Sequence, residues 1–178
     1  MTRMPHTRRA AGLLCLSLAA VALFKQVPAH AQAPHHTVVR SDTVMWGPAP
    51  PSLPPGAQAA VLLGHPAKEG PFVLRLKLPA GFTVPPHRHS KDELVTVIAG
   101  RFGVGSGEKL DRQAANVLPA ASFVHLPAGM PHFAWTDGET IVQINGVGPF
   151  DVQYVDPGDD PRGRQPKVPD RVADGSRP

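Results

Sequence analysis

One stretch of the chain decides its fold: residues 81–100 read GFTVPPHRHSKDELVTVIAG. Two consecutive prolines favour extended backbone before the first histidine, so we expect His87 and His89 to lie on a strand. Because side chains alternate along a strand, these two imidazoles point to the same side. A short polar turn follows, and Glu93 opens the apolar run Leu94–Ala99, which predicts a buried strand. The strand, turn and strand together return Glu93 to the two histidines.

A third histidine lies further along the chain. His132 ends the segment PAGMPH, whose prolines and glycine predict a turn. We predict one strand before this turn, over Ser122–Leu126, and another after it, over Phe133–Thr136. A hairpin of this kind can present His132 inward at a fixed place.

Three imidazoles and one carboxylate form a coordination shell that suits a divalent transition metal. We predict that His87, His89, Glu93 and His132 are the metal ligands, and Fe, Mn, Ni, Cu, Co and Zn are all compatible with this donor set. On an octahedral ion, four protein ligands leave about two positions open for water or substrate. A four-coordinate structural zinc is the alternative.

The stretch resembles the first motif of the cupin superfamily, which is a glycine, His-x-His, a glutamate and a closing glycine at set spacings. The matching positions are Gly81, His87, His89, Glu93 and Gly100.

The downstream histidine belongs to a stretch that is similar to the second cupin motif. Pro127, Gly129 and His132 match its fixed positions. Ala121 stands where that motif has a glycine, and Thr136 where it has an asparagine. These two departures concern turn geometry and a supporting hydrogen bond, and neither removes a ligand.

The resemblance implies an all-β fold with one domain, a small antiparallel jelly-roll β-barrel over residues 58–155. It also implies that the metal lies inside, near one mouth, on the four matching side chains. Cupins often pair, which makes a homodimer our expectation. Members include dioxygenases, isomerases, decarboxylases and binding proteins, so the fold alone says little about the reaction.

The first 31 residues have the pattern of a secretory signal peptide. Three arginines precede the apolar run Ala10–Phe24, and Ala29-His30-Ala31 fits a small-x-small cleavage site. We therefore expect a periplasmic or secreted protein, exported by either the general or the twin-arginine route. A retained membrane anchor is the alternative, although the apolar run is short for a membrane span.

Removal of that signal changes the charge balance. The full chain of 178 residues has 18 Lys and Arg against 14 Asp and Glu, and four of the basic residues lie in residues 1–31. The remainder is formally neutral, so we expect no nucleic-acid partner and no membrane partner. The single cysteine, Cys15, also leaves with the signal, so the barrel core must supply the stability.

Residues 32–57 form an N-terminal arm that is rich in proline. We predict strand segments at 38–40 and 44–46, and we expect the arm to pack on the barrel or on a neighbouring subunit. Within the barrel, we predict strands at 59–63, 72–78, 102–105, 140–147 and 151–155. The segment Lys109–Leu118 lacks a strand pattern and is either a short helix or a loop, with a composition that favours the helix. Residues 156–178 hold few large apolar residues and predict a disordered polar tail.

The site should face an apolar cavity that takes a small organic molecule. Five large side chains in or beside the motif strands either line this cavity or belong to the core, and the core is the interpretation that we favour for each aromatic: Phe82, Phe102, Met130, Phe133 and Trp135. Gln143 either contacts a ligand or faces outward, and His125 has a structural role in our interpretation.

The sequence offers no other chemical centre. We find in it no second carboxylate that is placed to act with Glu93 as an acid–base pair, no nucleophile elbow and no phosphate-binding loop. We therefore predict an exported, metal-dependent oxidoreductase of dioxygenase type that acts on a small organic substrate. The alternatives are an isomerase or decarboxylase, and a non-catalytic periplasmic module that binds a metal or ligand. No catalytic residue beyond the metal ligands is assigned.

Overall fold

The computed structural model of the protein describes residues 36–164. The predicted signal peptide and residues 165–178 of the predicted tail lie outside this range. The described residues contain eleven strands: β1 Gly47–Pro48, β2 Gln58–Leu63, β3 Gly70–Leu78, β4 Thr83–Arg88, β5 Glu93–Ala99, β6 Arg101–Ser106, β7 Asn116–Pro119, β8 Phe123–Leu126, β9 His132–Trp135, β10 Thr140–Gly148 and β11 Gln153–Tyr154. Three short 3-10 helices accompany them: Ser41–Thr43, Pro157–Asp159 and Pro161–Arg164. None of the helices in residues 36–164 has the length and apolar character of a membrane span.

The strands form two antiparallel sheets. One has six strands in the order β1-β2-β3-β10-β5-β8, and the other has five in the order β11-β4-β9-β6-β7. The hydrophobic core draws on both, with Leu74 and Val142 from the first sheet and Val104 and Ala134 from the second. This arrangement confirms the all-β, antiparallel jelly-roll prediction.

Strand β3 illustrates how the sequence dictates the layers. Its alternating apolar residues Phe72, Leu74, Leu76 and Leu78 are all buried, as their spacing predicts. Removing each of these side chains from water contributes about 1.5–3 kcal/mol. The opposite face carries Lys77, whose ammonium group lies 4.7 Å from the centre of the Trp46 ring in the N-terminal arm.

The arm differs from our prediction in its secondary structure. Residues 38–40 and 44–46 are not strands, and a 3-10 helix separates them. Val38 and Met45 are 73% and 87% exposed, so these apolar residues have no sheet to join. Residues 47–57 do pack on the six-stranded sheet, because β1 pairs with β2 and the Ala49 N–H donates to the Ala57 carbonyl at 3.3 Å.

The helical preference that we assigned to Lys109–Leu118 was wrong. The segment is a loop followed by β7, which pairs with β6. Asp111 explains the loop, because its Oδ1 accepts hydrogen bonds from the backbone N–H groups of Gln113 and Ala114. Such local side-chain bonds compete with the helical pattern.

Residues 156–164, the first part of the segment that we predicted to be disordered, contain two of the 3-10 helices. The Asp156 carboxylate caps the first of them by accepting from the Gly158 N–H at 2.8 Å. Arg162 donates to the Val152 carbonyl at 2.9 Å and so fastens this segment next to β11. Short polar contacts thus order a stretch that lacks large apolar residues.

Candidate metal centre

The four predicted ligands come from three strands of the fold. His87 lies near the end of β4 and His89 directly after it, while Glu93 and His132 begin β5 and β9. The β4–β9 pairing places His87 opposite His132. All four residues are at most 7% exposed. Arg88 points the other way, as strand alternation predicts, and pairs with a surface glutamate.

The imidazoles form a compact group. Their ring centres are 4.3 Å apart for His87 and His132, 5.0 Å for His87 and His89, and 5.1 Å for His89 and His132. One ring nitrogen from each histidine lies within 4.8 Å of the other two, which makes a group that could hold a metal ion. The Glu93 Oε2 atom lies 3.3 Å from His89 Nε2 and 3.4 Å from His132 Nε2. The structure therefore brings all four predicted residues together.

Backbone carbonyls set the orientation of each imidazole. The Nδ1 atom of His87 contacts the Pro85 carbonyl at 2.7 Å, that of His132 contacts the Met130 carbonyl at 3.0 Å, and that of His89 contacts the Asp151 carbonyl. A carbonyl only accepts, so each Nδ1 must carry the proton. The neutral ring then presents the Nε2 lone pair, as metal-binding histidines commonly do.

Two of these Nε2 atoms have no hydrogen-bond partner. His89 Nε2 and His132 Nε2 are buried and unsatisfied among the described residues. Leaving a buried polar atom unpaired costs about 1–3 kcal/mol, so such atoms call for an explanation. A cation between the imidazoles and Glu93 would satisfy both atoms. The donor set therefore fits the transition metal that the sequence predicts.

Burial and neighbouring charges favour the metal-binding forms of His87 and Glu93, whereas they favour the protonated form of His89. Desolvation, with help from His132 and His89, lowers the pKa of His87 to about 3. Burial alone would raise the pKa of Glu93, but contacts with His132 and His89 outweigh it and hold that pKa well below the usual value. Burial also opposes the charged form of His89, yet Glu93 raises its pKa overall. At neutral pH the cluster thus offers a carboxylate and neutral His87.

Two acidic residues that sequence reasoning missed position the ligands. Asp92 Oδ1 accepts from the Ala128 N–H at 2.9 Å, and its other oxygen contacts His125 at 3.1 Å. Asp151 supplies the carbonyl that orients His89, while its carboxylate accepts from Ser90. Asp92 could have been found from the sequence, because it lies in the polar run directly before Glu93. Asp151 offered no such signal, because its partner lies about sixty positions earlier in the chain.

Both departures from the second cupin motif have structural consequences. Ala121 has a φ of +69°, so this residue occupies the left-handed region that favours glycine. Thr136 is fully buried and donates to the Pro79 carbonyl at 2.6 Å. Its hydroxyl thus supplies a supporting hydrogen bond at the asparagine position. Within the first motif, Gly100 is required, because a Cβ there would lie 2.5 Å from the Glu139 carbonyl oxygen.

The four residues face a cavity of about 520 Å³ between the sheets. Its walls are aliphatic, with Leu76, Val142 and Ile144 among those from the six-stranded sheet and Val84, Val104 and Ala134 from the other. A cavity of this size and character suits a small organic ligand.

The cavity decides between the alternatives that the sequence left open for several side chains. Of the five wall candidates, Phe102 lines it, whereas Phe82, Met130, Phe133 and Trp135 do not. Gln143 faces outward, where its Oε1 accepts from Arg75 at 3.1 Å.

The structure also adds features of the cavity that the sequence did not reveal. The arm segment Pro48–Leu53 closes one side, and Phe150 lines another. The Tyr154 hydroxyl holds that arm segment by donating to the Ser52 carbonyl at 2.7 Å. His125 lies outside the cavity, in contact with Asp92.

Comparison with solved structures agrees with this fold. The polyketide cyclase RemF from Streptomyces resistomycificus is 17% identical, with a TM-score of 0.60 over 74% of this chain and 95% of that one. A proposed acetylacetone dioxygenase from Methylibium petroleiphilum is 20% identical, with a TM-score of 0.57 over 73% and 88%. An RmlC-like cupin from Shewanella frigidimarina is 16% identical, with a TM-score of 0.49 over 64% and 91%. Identities this low show the fold alone.

The solved structures share the fold of this chain, and within it the three histidines form a group that could hold a metal ion. Residues 37–170 match the family described as Domain of unknown function (DUF4437), and the chain belongs to that family. No curated protein sequence matches the chain.

Proposed function

We propose that the protein binds a divalent transition metal through His87, His89, His132 and Glu93 and is a metal-dependent oxidoreductase of dioxygenase type. The observation that carries this proposal is the pair of buried Nε2 atoms, those of His89 and His132, which face Glu93 and have no hydrogen-bond partner within residues 36–164. A bound ion would supply a redox centre or a Lewis acid. Hydrogen bonds to backbone carbonyls hold the three imidazoles in place, and the aliphatic walls of the cavity exclude water from the site.

The composition of the cavity favours redox chemistry over isomerisation or decarboxylation. Reactions that move protons use a positioned acid or base within hydrogen-bond reach of the substrate. Among the described residues that line the cavity, the polar side chains outside the four-residue cluster are Ser52 and His65. His65 is exposed, and its Nδ1 accepts from the Ala67 N–H at 3.1 Å. Chemistry inside the cavity thus depends on the cluster.

The location and partners of the protein are proposed on the sequence alone. The basic residues, apolar run and small-x-small site of residues 1–31 support export to the periplasm or beyond. A homodimer is proposed from the pairing that is common among cupins. The substrate is proposed to be a small organic molecule, because the walls are apolar.

Metal content and dioxygen uptake test the proposal together. The purified protein is loaded in turn with Fe(II), Mn(II), Ni(II), Cu(II), Co(II) and Zn(II), and bound metal is measured by elemental analysis. Uptake is then followed with 2,4-pentanedione and 2,4-octanedione, chosen because the Methylibium protein is a proposed acetylacetone dioxygenase. We expect about one ion per chain and uptake with at least one redox-active metal.

The variant His132→Ala should lose the metal, whereas His125→Ala should keep it. His125 is the matched control, because it is a histidine on β8, the strand that precedes β9 in the chain, and its side chain lies outside the cavity. Wild-type protein that retains no metal would contradict the site. Protein that binds metal but takes up no dioxygen would favour the non-catalytic binding module.

A further inference from the structure

The charges around the cavity are unusually few. Among the described residues, Glu93 is the only acidic side chain on its lining, and no lysine or arginine lies there. Lysines and arginines of the six-stranded sheet, such as Arg75 and Lys77, alternate to the opposite face from the lining residues Leu74 and Leu76. The cavity therefore has one charged end and a neutral body.

The charge at that end follows from the donor set. Three neutral imidazoles and one carboxylate cancel one of the two charges of a divalent ion, which leaves a net charge of about +1 in a buried site. A buried charge that lacks a partner is unfavourable because it has lost its water. A ligand that brings one negative charge to the cluster neutralises it, and a neutral ligand does not.

The apolar walls limit the ligand to a single negative charge. A second negative charge on the ligand would lie against aliphatic residues such as Val142 and Ile144, which are 1% and 6% exposed. Among the lining residues that the structure describes, no lysine or arginine could pair with it. The same walls reward apolar length, because each methylene removed from water strengthens binding by roughly fourfold.

We infer that the substrate binds as a monoanion, with an oxygen-donor headgroup at the His87–His89–Glu93–His132 cluster and an uncharged, apolar body along the aliphatic walls. Carboxylates and enolates with an alkyl chain belong to this class. Dicarboxylates, sugars and phosphate esters do not. This inference rests on the proposed function, because the positive end of the cavity exists when the metal is bound.

A ligand series on cobalt-loaded protein tests the inference by binding, without turnover. Dissociation constants are measured for acetate, pentanoate, octanoate, pentan-1-ol and glutarate from the visible absorption of Co(II) and by calorimetry. We expect affinity to rise from acetate to octanoate by roughly fourfold per methylene until the alkyl chain reaches the far end of the cavity. Pentanoate should bind at least tenfold more tightly than pentan-1-ol or glutarate, and metal-free protein should show no preference for it.

A pair of variants on β2 tests whether the neutral wall is the cause. Val61 lines the cavity and is 49% exposed, so Val61→Lys can be accommodated; Leu63, which is 46% exposed and does not line it, provides the control Leu63→Lys. Val61→Lys should improve glutarate binding relative to pentanoate, and Leu63→Lys should not.

The outcomes separate the inference from the proposed function. Failure of the wild-type protein to take up cobalt would overturn the metal site, and the inference with it. Cobalt uptake followed by equal binding of glutarate and pentanoate, or of pentan-1-ol and pentanoate, would overturn the monoanion class alone. An unchanged preference in Val61→Lys would count against the apolar lining as its cause.

Discussion

The Asp92 carboxylate accepts a hydrogen bond from the backbone N–H of Ala128 at 2.9 Å, which ties the start of strand β5 to the turn that precedes strand β9. Glu93 is the next residue on the first of these elements, and His132 begins the second. The Gly129 N–H adds a bond to the His89 carbonyl at 2.8 Å. The turn that precedes β9 is thereby bonded to His89 and to Asp92, on the two sides of the short polar turn that connects β4 to β5.

This tie predicts that Asp92→Ala weakens metal binding although Asp92 is not a ligand. Loss of a group that supports metal ligands typically lowers affinity by about 10- to 100-fold, and we expect the lower end because the residue is exposed. Asp92→Asn retains an acceptor for Ala128 and should recover most of the affinity. Competition with a chelating dye gives the dissociation constants, and equal values for the Ala and Asn variants would contradict a positioning role.

Bound metal should raise the unfolding temperature of the protein. A ligand that binds only the folded state stabilises it by about 2.7 kcal/mol at 100 times its dissociation constant. Thermal unfolding followed by circular dichroism, with and without EDTA, measures this effect. The shift should persist in His125→Ala and disappear in His132→Ala, and an EDTA-independent transition in the wild-type protein would argue against a structural link between metal and fold.

Ala121 carries backbone strain that a glycine would relieve. Its φ of +69° costs a residue with a Cβ about 1–2 kcal/mol, so Ala121→Gly should stabilise the protein by about 1 kcal/mol after the entropy of the glycine is subtracted. Chemical denaturation gives the free energy of unfolding. Ala120→Gly is the control, because its φ is not positive and the substitution should destabilise the protein slightly. Destabilisation at both positions would refute the strain.

The Tyr154 phenol predicts a loss of stability at high pH. Burial, with Asp160 nearby, raises its pKa to about 12 from an ordinary value of 10.0. The unfolded chain therefore releases this proton first, so the stabilising contribution is complete below pH 10 and declines as the pH rises toward 12. Tyr154→Phe should flatten the fall in unfolding free energy over this range. Parallel curves for the two proteins would exclude the effect.

The sequence predicted most of the fold because its signals are local. Alternation in Phe72–Leu78 and the short spacing of His87 and His89 determine which side chains share a face, whatever the rest of the chain does. The inward position of His132 was predictable from the turn residues that precede it. The strand predictions around Val38 and Met45 failed, because these residues have no strand to join. The sequence left the direction of Gln143 open, because its outward position depends on Arg75, a partner far away in the chain.

The cavity walls were the least predictable feature of the site. Phe133 and Trp135 follow His132 on one strand, yet neither lines the cavity. Which side chains form its walls depends on how the two sheets stack on each other. The contribution of Pro48–Leu53 depends on a bond from Tyr154, roughly a hundred positions away in sequence. Periodicity along a single strand contains no information about such long-range contacts.

Each imidazole of the cluster takes its orientation from a main-chain carbonyl, that of Pro85, Met130 or Asp151. Main-chain atoms survive any exchange of side chains, so drift in the surrounding residues cannot easily rotate the rings. Evolution or an engineer can consequently change the side chains of the pocket to fit new molecules while the three imidazole rings keep their orientation.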